Sequence, residues 1–269
     1  FFELTISADG KKSRPLVRRQ IVGLKQGLVE DLEGSALVEE EGRRFIVNVS
    51  SLEANEGENT DAGLVRVALE DGGSMRGEIM PGFRAWLLAS YPAIGEGPRG
   101  PAALEVHGLV YDPQRKVLLL GVRSGTRDGR PLVMPIGVRD WTGPWTTDNL
   151  IPHEAIALDV GGPTPGPKGI YGIARHPQRG DFVLILGRTE GKDSAASLYL
   201  WDGHGSAVAH LPQLHFAPGT KPEGITFGTI GGRLAAVLVD DTGGYYVIWQ
   251  DELQASAGRG AADNAAARR

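Results

Sequence analysis

The sequence predicts an all-β protein, a β-propeller of four-stranded blades, on three observations. A strand–turn–strand unit recurs along the chain. Its apolar runs are strand-sized and separated by turns rich in Gly, Asp and Pro, with 39 Gly and 17 Pro among 269 residues. Strands do not alternate with long helices, which disfavours Rossmann and TIM-type folds.

The repeat is clearest between residues 106–121 (VHGLVYDPQRKVLLLG) and 170–187 (IYGIARHPQRGDFVLILG). Gly108 matches Gly172, and Pro113-Gln114-Arg115 matches Pro177-Gln178-Arg179, at an offset of 64 residues. The same grammar governs residues 32–49 and 222–241, so Gly34, Gly108, Gly172 and Gly224 follow one another at spacings of 74, 64 and 52. Blades of about 40–45 residues are usual, so longer loops are expected here. Third strands are predicted at 64–69, 131–136, 197–201 and 245–249, and fourth strands near 77–80, 153–160 and 207–211. Residues 83–90 (FRAWLLAS) predict a short helix inserted in a loop.

The ends shape the blade count. Residues 1–6 and 16–24 read as the last two strands of an incomplete first blade, so five blades are expected, within one domain spanning 1–252. Residues 253–269 read as a disordered Ala/Gly/Arg tail. The chain opens without Met, so a truncated N-terminus is expected and the missing signal peptide leaves the compartment undetermined.

Bulk properties narrow the function classes. The net charge of −5 offers no concentrated basic face for nucleic acid. No apolar run approaches the roughly 18 residues of a membrane-spanning helix. Cysteine is absent, which removes disulfides, thiolate metal sites and cysteine nucleophiles. There is no GxSxG elbow, P-loop, HExxH or GxGxxG fingerprint.

Propeller geometry points to one face. The start of each innermost strand and the end of the next strand meet at the same mouth of the channel. The starts supply Asp31, Glu33, Glu105, His107, Tyr171, Lys221 and Glu223; the ends supply Asn48, Ser50, Arg123, Arg188, Asp240 and Asp241. Converging polar groups around a concavity define the default binding site. Glu33, Asn48, Arg123, Tyr171, Arg188 and Glu223 are the candidate ligand-binding residues. His107 is the candidate for acid–base chemistry or metal ligation. Asp240 and Asp241, before Thr242-Gly243, are candidate Ca²⁺ ligands through hard oxygens. Each feature also has a structural reading: Glu–Gly at a strand start suits close inter-blade packing, the arginines suit inter-blade ion pairs, and Asp-rich turns cap strands. Trp141 and Trp145 serve either cross-strand packing or stacking on a ring.

With these residues in view, the chain resembles an uncharacterised bacterial propeller family. The resemblance runs over about residues 25–250 and rests on DLEGSALV (31–38), GVRSGTRDGRPLVM (121–134), GIYGIARHP (169–177), LYLWDG (198–203), KPEGITFG (221–228) and LVDDTGG (238–244). His107 stands where that family tends to place Glu, and Tyr171 where Arg is usual. The family is distantly similar to phytase-like and lactonase-like propellers, which implies a Ca²⁺-dependent hydrolase of phosphate esters or lactones. In that reading Glu33, Glu223, Asp240 and Asp241 hold the metal, His107 acts as base, and Arg123 and Arg188 steady an anion. Two alternatives stand beside it. The first, ranked ahead of the hydrolase, is a binding module that takes a small anionic molecule, a sugar or a protein partner at the mouth. The second is a structural scaffold.

Overall fold

The computed structural model describes residues 2, 3, 6–11, 14, 17–24, 31–53, 63–70, 73–94, 100, 103–124, 126, 129–160, 168–188, 196–216 and 220–256. Strands β1 (Phe2–Glu3) and β2 (Val17–Arg18) form a small hairpin-like pair. Four antiparallel sheets follow. Blade I contains β3 (Leu32–Glu40), β4 (Arg43–Ser50), β5 (Leu64–Leu69) and β6 (Met75–Met80), paired in sequence order. Helix α1 (Phe83–Ser90) follows it, at the predicted position, with Phe83 and Leu87 buried. Blade II contains β7 (Glu105–Asp112), β8 (Val117–Ser124), β9 (Leu132–Val138) and β10 (Leu150–Pro152), with β11 (Ile156–Ala157) also on β9. Blade III contains β12 (Lys168–Arg175), β13 (Phe182–Arg188), β14 (Ser197–Trp201) and β15 (Val208–His215). Blade IV contains β16 (Pro222–Ile230), β17 (Arg233–Asp240) and β18 (Tyr245–Trp249).

The first strand of each blade is the inner one. β3 lies beside β7, β7 beside β12, β12 beside β16, and β16 meets β3 again, so the four sheets ring a channel. The protein is therefore a β-propeller with four blades among the described residues. The expected five are corrected. Instead of opening a blade of its own, the N-terminal segment spans the seam between blades IV and I. The turn at Ala8 and Gly10 sits against Gly231, Val247 and Trp249 of blade IV. Farther along, Val22 bridges in parallel to β6 of blade I: its N–H donates to the Met75 carbonyl at 2.8 Å, and its carbonyl accepts from Gly77 N–H at 2.8 Å. Asp159, which precedes blade III, bridges in parallel to Ala207 beside β15 in the same manner.

The repeat glycines have a packing cause. A Cβ on Gly34 would lie 2.7 Å from both the His107 carbonyl oxygen and Leu109 Cβ. One on Gly108 would crowd Ile170 and Ile173, and one on Gly172 would crowd Ile225. Each glycine lets the next blade's inner strand approach its backbone. Among the described residues Gly224 has no such neighbour across the seam; its nearest atom is Val239 Cγ2 of its own blade.

The blades are cored by aliphatic residues, and the largest cluster joins blades I and II. The excursion between β9 and β10 is locked there by Arg66, which is 4% exposed. Its guanidinium donates to the carbonyls of Trp141 at 2.6 Å and Gly143 at 3.0 Å, pairs with Glu78, and lies 4.7 Å from the Trp145 ring centroid. Trp141 and Trp145 are buried and stacked, with Trp141 also against Phe45 and Tyr111. Of their two readings, inter-blade packing holds. At the other end of the chain, residues 250–256 are helical, so the helix runs into 253–256, the start of the expected tail. Leu253 is buried there with Leu211 of blade III. Residues 257–269 lie outside the described residues.

Two outcomes are expected on chemical denaturation. Gly34→Ala lowers stability by about 1–3 kcal/mol, because its methyl would press on the His107 carbonyl and on the Leu109 N and Cβ, which cannot swing aside. Arg66→Met costs about 2 kcal/mol, because it leaves the buried Trp141 carbonyl, the part-buried Gly143 carbonyl and the half-exposed Glu78 without their donor. An Arg66→Met protein as stable as the wild type would show that the tryptophans hold the excursion unaided.

Candidate functional site

The four inner strands share one irregularity. In each, the ladder slips by one residue immediately before the repeat glycine. The slip lies between Leu32 and Gly34, between Val106 and Gly108, between Ile170 and Gly172, and between Pro222 and Gly224. The residue without a ladder partner is Glu33, His107, Tyr171 or Glu223. A bulged residue is released from the pleat and re-aimed. Here the same device, repeated four times, turns one side chain from every blade toward one mouth.

Three of these side chains meet at a point. His107 Nδ1 lies 3.1 Å from Glu33 Oε2 and 3.2 Å from Glu223 Oε2. They come from blades II, I and IV. Tyr171, from blade III, meets the His107 ring edge-on at 5.9 Å between centroids. Arg123, near the end of β8, completes the group. Its Nη1 is 3.0 Å from His107 Nε2, its Nε is 3.4 Å from Glu105 Oε2, and its guanidinium lies 4.8 Å from the Tyr171 ring centroid.

Donor chemistry fixes the tautomer. Arginine has only donors, so His107 Nε2 accepts from Arg123 and the ring proton sits on Nδ1. That N–H faces both glutamates, and His107 is 3% exposed. The mouth is short of positive charge: Glu33, Glu105 and Glu223 face the guanidinium of Arg123. Glu33 registers the deficit. Burial pushes its carboxyl up to about 7, the charges of Asp31 and Glu223 add to the rise, and His107 and Arg123 only partly offset it.

The other sequence candidates lie apart from this point. Asn48 is buried on β4, where its Oδ1 accepts from Ser35 Oγ at 2.6 Å and its Nδ2 has no hydrogen-bond partner. Asp240 shapes the turn after β17. Burial works against its charge, but the N–H groups of Lys221 and Thr242 and the Thr242 hydroxyl all donate to it and hold its carboxyl below the usual range. Asp241 is exposed, 3.8 Å from Lys221 Nζ. Neither joins the Glu33–His107–Glu223 group, whose ligand atoms all lie within 4.8 Å of one another. Arg188 ends β13 opposite Lys168, and its side chain lies outside the described residues. Sequence reasoning placed Glu33, His107, Tyr171 and Glu223 on one rim. It missed Glu105 as the partner of Arg123, although Glu105 stands two residues before His107 at the same strand start.

No family model matches the chain, and no curated protein matches it. Among solved structures it is similar to the extracellular domain of a hybrid two-component system from B. thetaiotaomicron. The identity is 11% and the TM-score 0.34, over 81% of this chain. A second structure, described as the extracellular domain of a one-component system from the same organism, gives the same values. This chain spans 27% of the length of each of those chains.

Glu33 makes stability depend on pH. Its folded value, about 7, lies above the ordinary carboxylate value of 4.5. Its contribution is therefore complete below the unfolded value and lost as pH rises through 7. Between pH 4.5 and 8 the wild type should lose stability relative to Glu33→Gln, by about 1–2 kcal/mol with solvent screening. Parallel pH profiles in urea denaturation would show Glu33 fully charge-compensated instead.

Proposed function

We propose that this propeller is a binding module that holds a divalent cation at its channel mouth through Glu33, His107 and Glu223. The cation would in turn offer open coordination positions to an oxygen-rich small ligand, either an anionic group or a sugar. The carrying observation is the approach of two carboxylate oxygens, from blades I and IV, to a single imidazole nitrogen of blade II. The separations of 3.1 and 3.2 Å suit a tetrahedron whose metal–ligand legs are about 2.0–2.1 Å. The charge deficit at Glu33 supports the same reading, because a cation would hold that carboxylate ionised.

The donor set bears on the ion. One imidazole with two carboxylates favours Zn²⁺ or Mn²⁺ over Ca²⁺, which prefers an all-oxygen shell. Asp240, committed to its own turn, does not add the oxygens a calcium site would need. Arg123 acts against the metal. When Nδ1 binds a cation, the ring proton moves to Nε2, and Arg123 then faces a second donor and must turn toward Glu105. The hydrolase reading draws on the same geometry, since three protein ligands leave a position open.

Thermal melts with ZnCl₂, MnCl₂ and CaCl₂ test the proposal. Zn²⁺ or Mn²⁺ at a hundredfold excess over Kd should raise Tm by about 5 °C or more. His107→Ala and Glu223→Gln should abolish the rise, and Arg123→Met should increase the affinity. If no ion raises Tm, or if His107→Ala responds like the wild type, the metal reading falls and the rim cluster is a structural clasp. Turnover of aryl phosphates or lactones with metal present, lost in Glu223→Gln, would place the protein among hydrolases.

A further inference from the structure

Beyond the mouth, the channel itself forms a cavity of about 430 Å³ walled by all four inner strands. That size is within the range of small-molecule sites. Its wall is mainly apolar, with Leu37, Leu109, Ile173, Ile225 and Phe227 among its residues. Leu37 is 57% exposed, an unusual state for a large aliphatic side chain in the middle of an inner strand. None of the four bulged residues contributes to this cavity, so it is separate from the metal cluster.

At the far end, away from the bulges, one arginine shares its carboxylate with a second arginine among the described residues. Arg175, the last residue of β12, lines the cavity beside Pro113 and Pro177. Its side chain is 16% exposed, and its buried Nε has no hydrogen-bond partner. The carboxylate paired with it, Asp112, is 3.8 Å away and already engaged: Oδ1 accepts from Gln114 N–H at 3.0 Å and Oδ2 from Arg115 Nε at 2.6 Å. Arg115 also keeps a buried Nη2 without a partner. Two guanidinium groups thus share one carboxylate. The other nearby charges are otherwise occupied: Lys116 pairs with Glu40, and Arg179 with Asp181. Glu39 is exposed on the blade I wall.

We infer that the channel is a second site, for an amphipathic monocarboxylate whose apolar body lies along Leu37, Leu109, Ile173 and Phe227 and whose carboxylate is received by Arg175. A guanidinium that lines a cavity and shares its carboxylate with a second arginine gains from a further planar anion, which it can bind through two parallel hydrogen bonds. The apolar wall gains from covering Leu37.

Isothermal titration of the full chain with hexanoate, hexylamine and hexanol tests this. Hexanoate should bind, while hexylamine and hexanol, with the same apolar body, should bind at least tenfold more weakly. Arg175→Met should weaken hexanoate at least tenfold. Leu37→Glu, at an exposed position that leaves the Asp112 cluster intact, should do the same if Arg175→Met fails to fold. His107→Ala should leave hexanoate binding unchanged. Absence of hexanoate binding, equal binding of hexylamine, or hexanoate binding indifferent to Leu37→Glu would overturn the inference.

Discussion

At the rim, one imidazole gathers side chains from three blades. His107 presents its Nδ1 proton to glutamates from two other blades and receives a guanidinium on Nε2, so one side chain ties blade II to blades I and IV at once. Tyr171 brings blade III to the same point. The arrangement is largely withdrawn from water, where such contacts are stronger and unpaired groups cost more. It is also incomplete: more carboxylate is gathered than the local cations neutralise. The proposed binding role for the mouth rests on that excess rather than on any sequence motif.

The seams of the ring are not equivalent. Blades I to II, II to III and III to IV are joined by glycine positions that admit the neighbouring backbone or its branched side chains. Among the described residues, the seam from IV to I shows no such interlock. It is closed instead by β16 meeting β3, by the Glu223–His107–Glu33 contacts, and by the N-terminal segment touching both blades. Steric fit therefore holds three seams, and electrostatics with a crossing strap holds the fourth. An electrostatic seam responds to pH and ions; an interlocked one does not.

Much of this was legible in the sequence because a repeat amplifies weak signals. One Glu–Gly pair says little, but four x-Gly steps at the starts of four apolar strands locate a face, and Glu33, His107, Tyr171 and Glu223 all stand on it. The bulge behind that convergence was hidden, since an extra residue leaves no mark on strand periodicity until the ladder partner is known. The blade count failed for a different reason. Residues 1–24 have strand-like composition, but nothing local states that they bridge a seam instead of founding a blade. Asp240 stands in Asp-Asp-Thr-Gly, which writes a turn and a cation loop with the same letters, and the structure adds the Lys221 and Thr242 donors that its carboxylate accepts. Arg175 was invisible as a candidate, because its importance lies in what Asp112 has already given to its neighbours.

The bulges also bear on how such a rim can change. A bulged residue is exempt from ladder pairing, so its identity is uncoupled from the backbone bonds that hold the blade. The glycine that follows carries the steric demand, and the residue before it is left to chemistry. Each blade thus carries one interchangeable socket at the rim, and the four sockets here hold acid, imidazole, phenol and acid. New recognition could be assembled by exchanging those four side chains while the scaffold beneath stayed as it is.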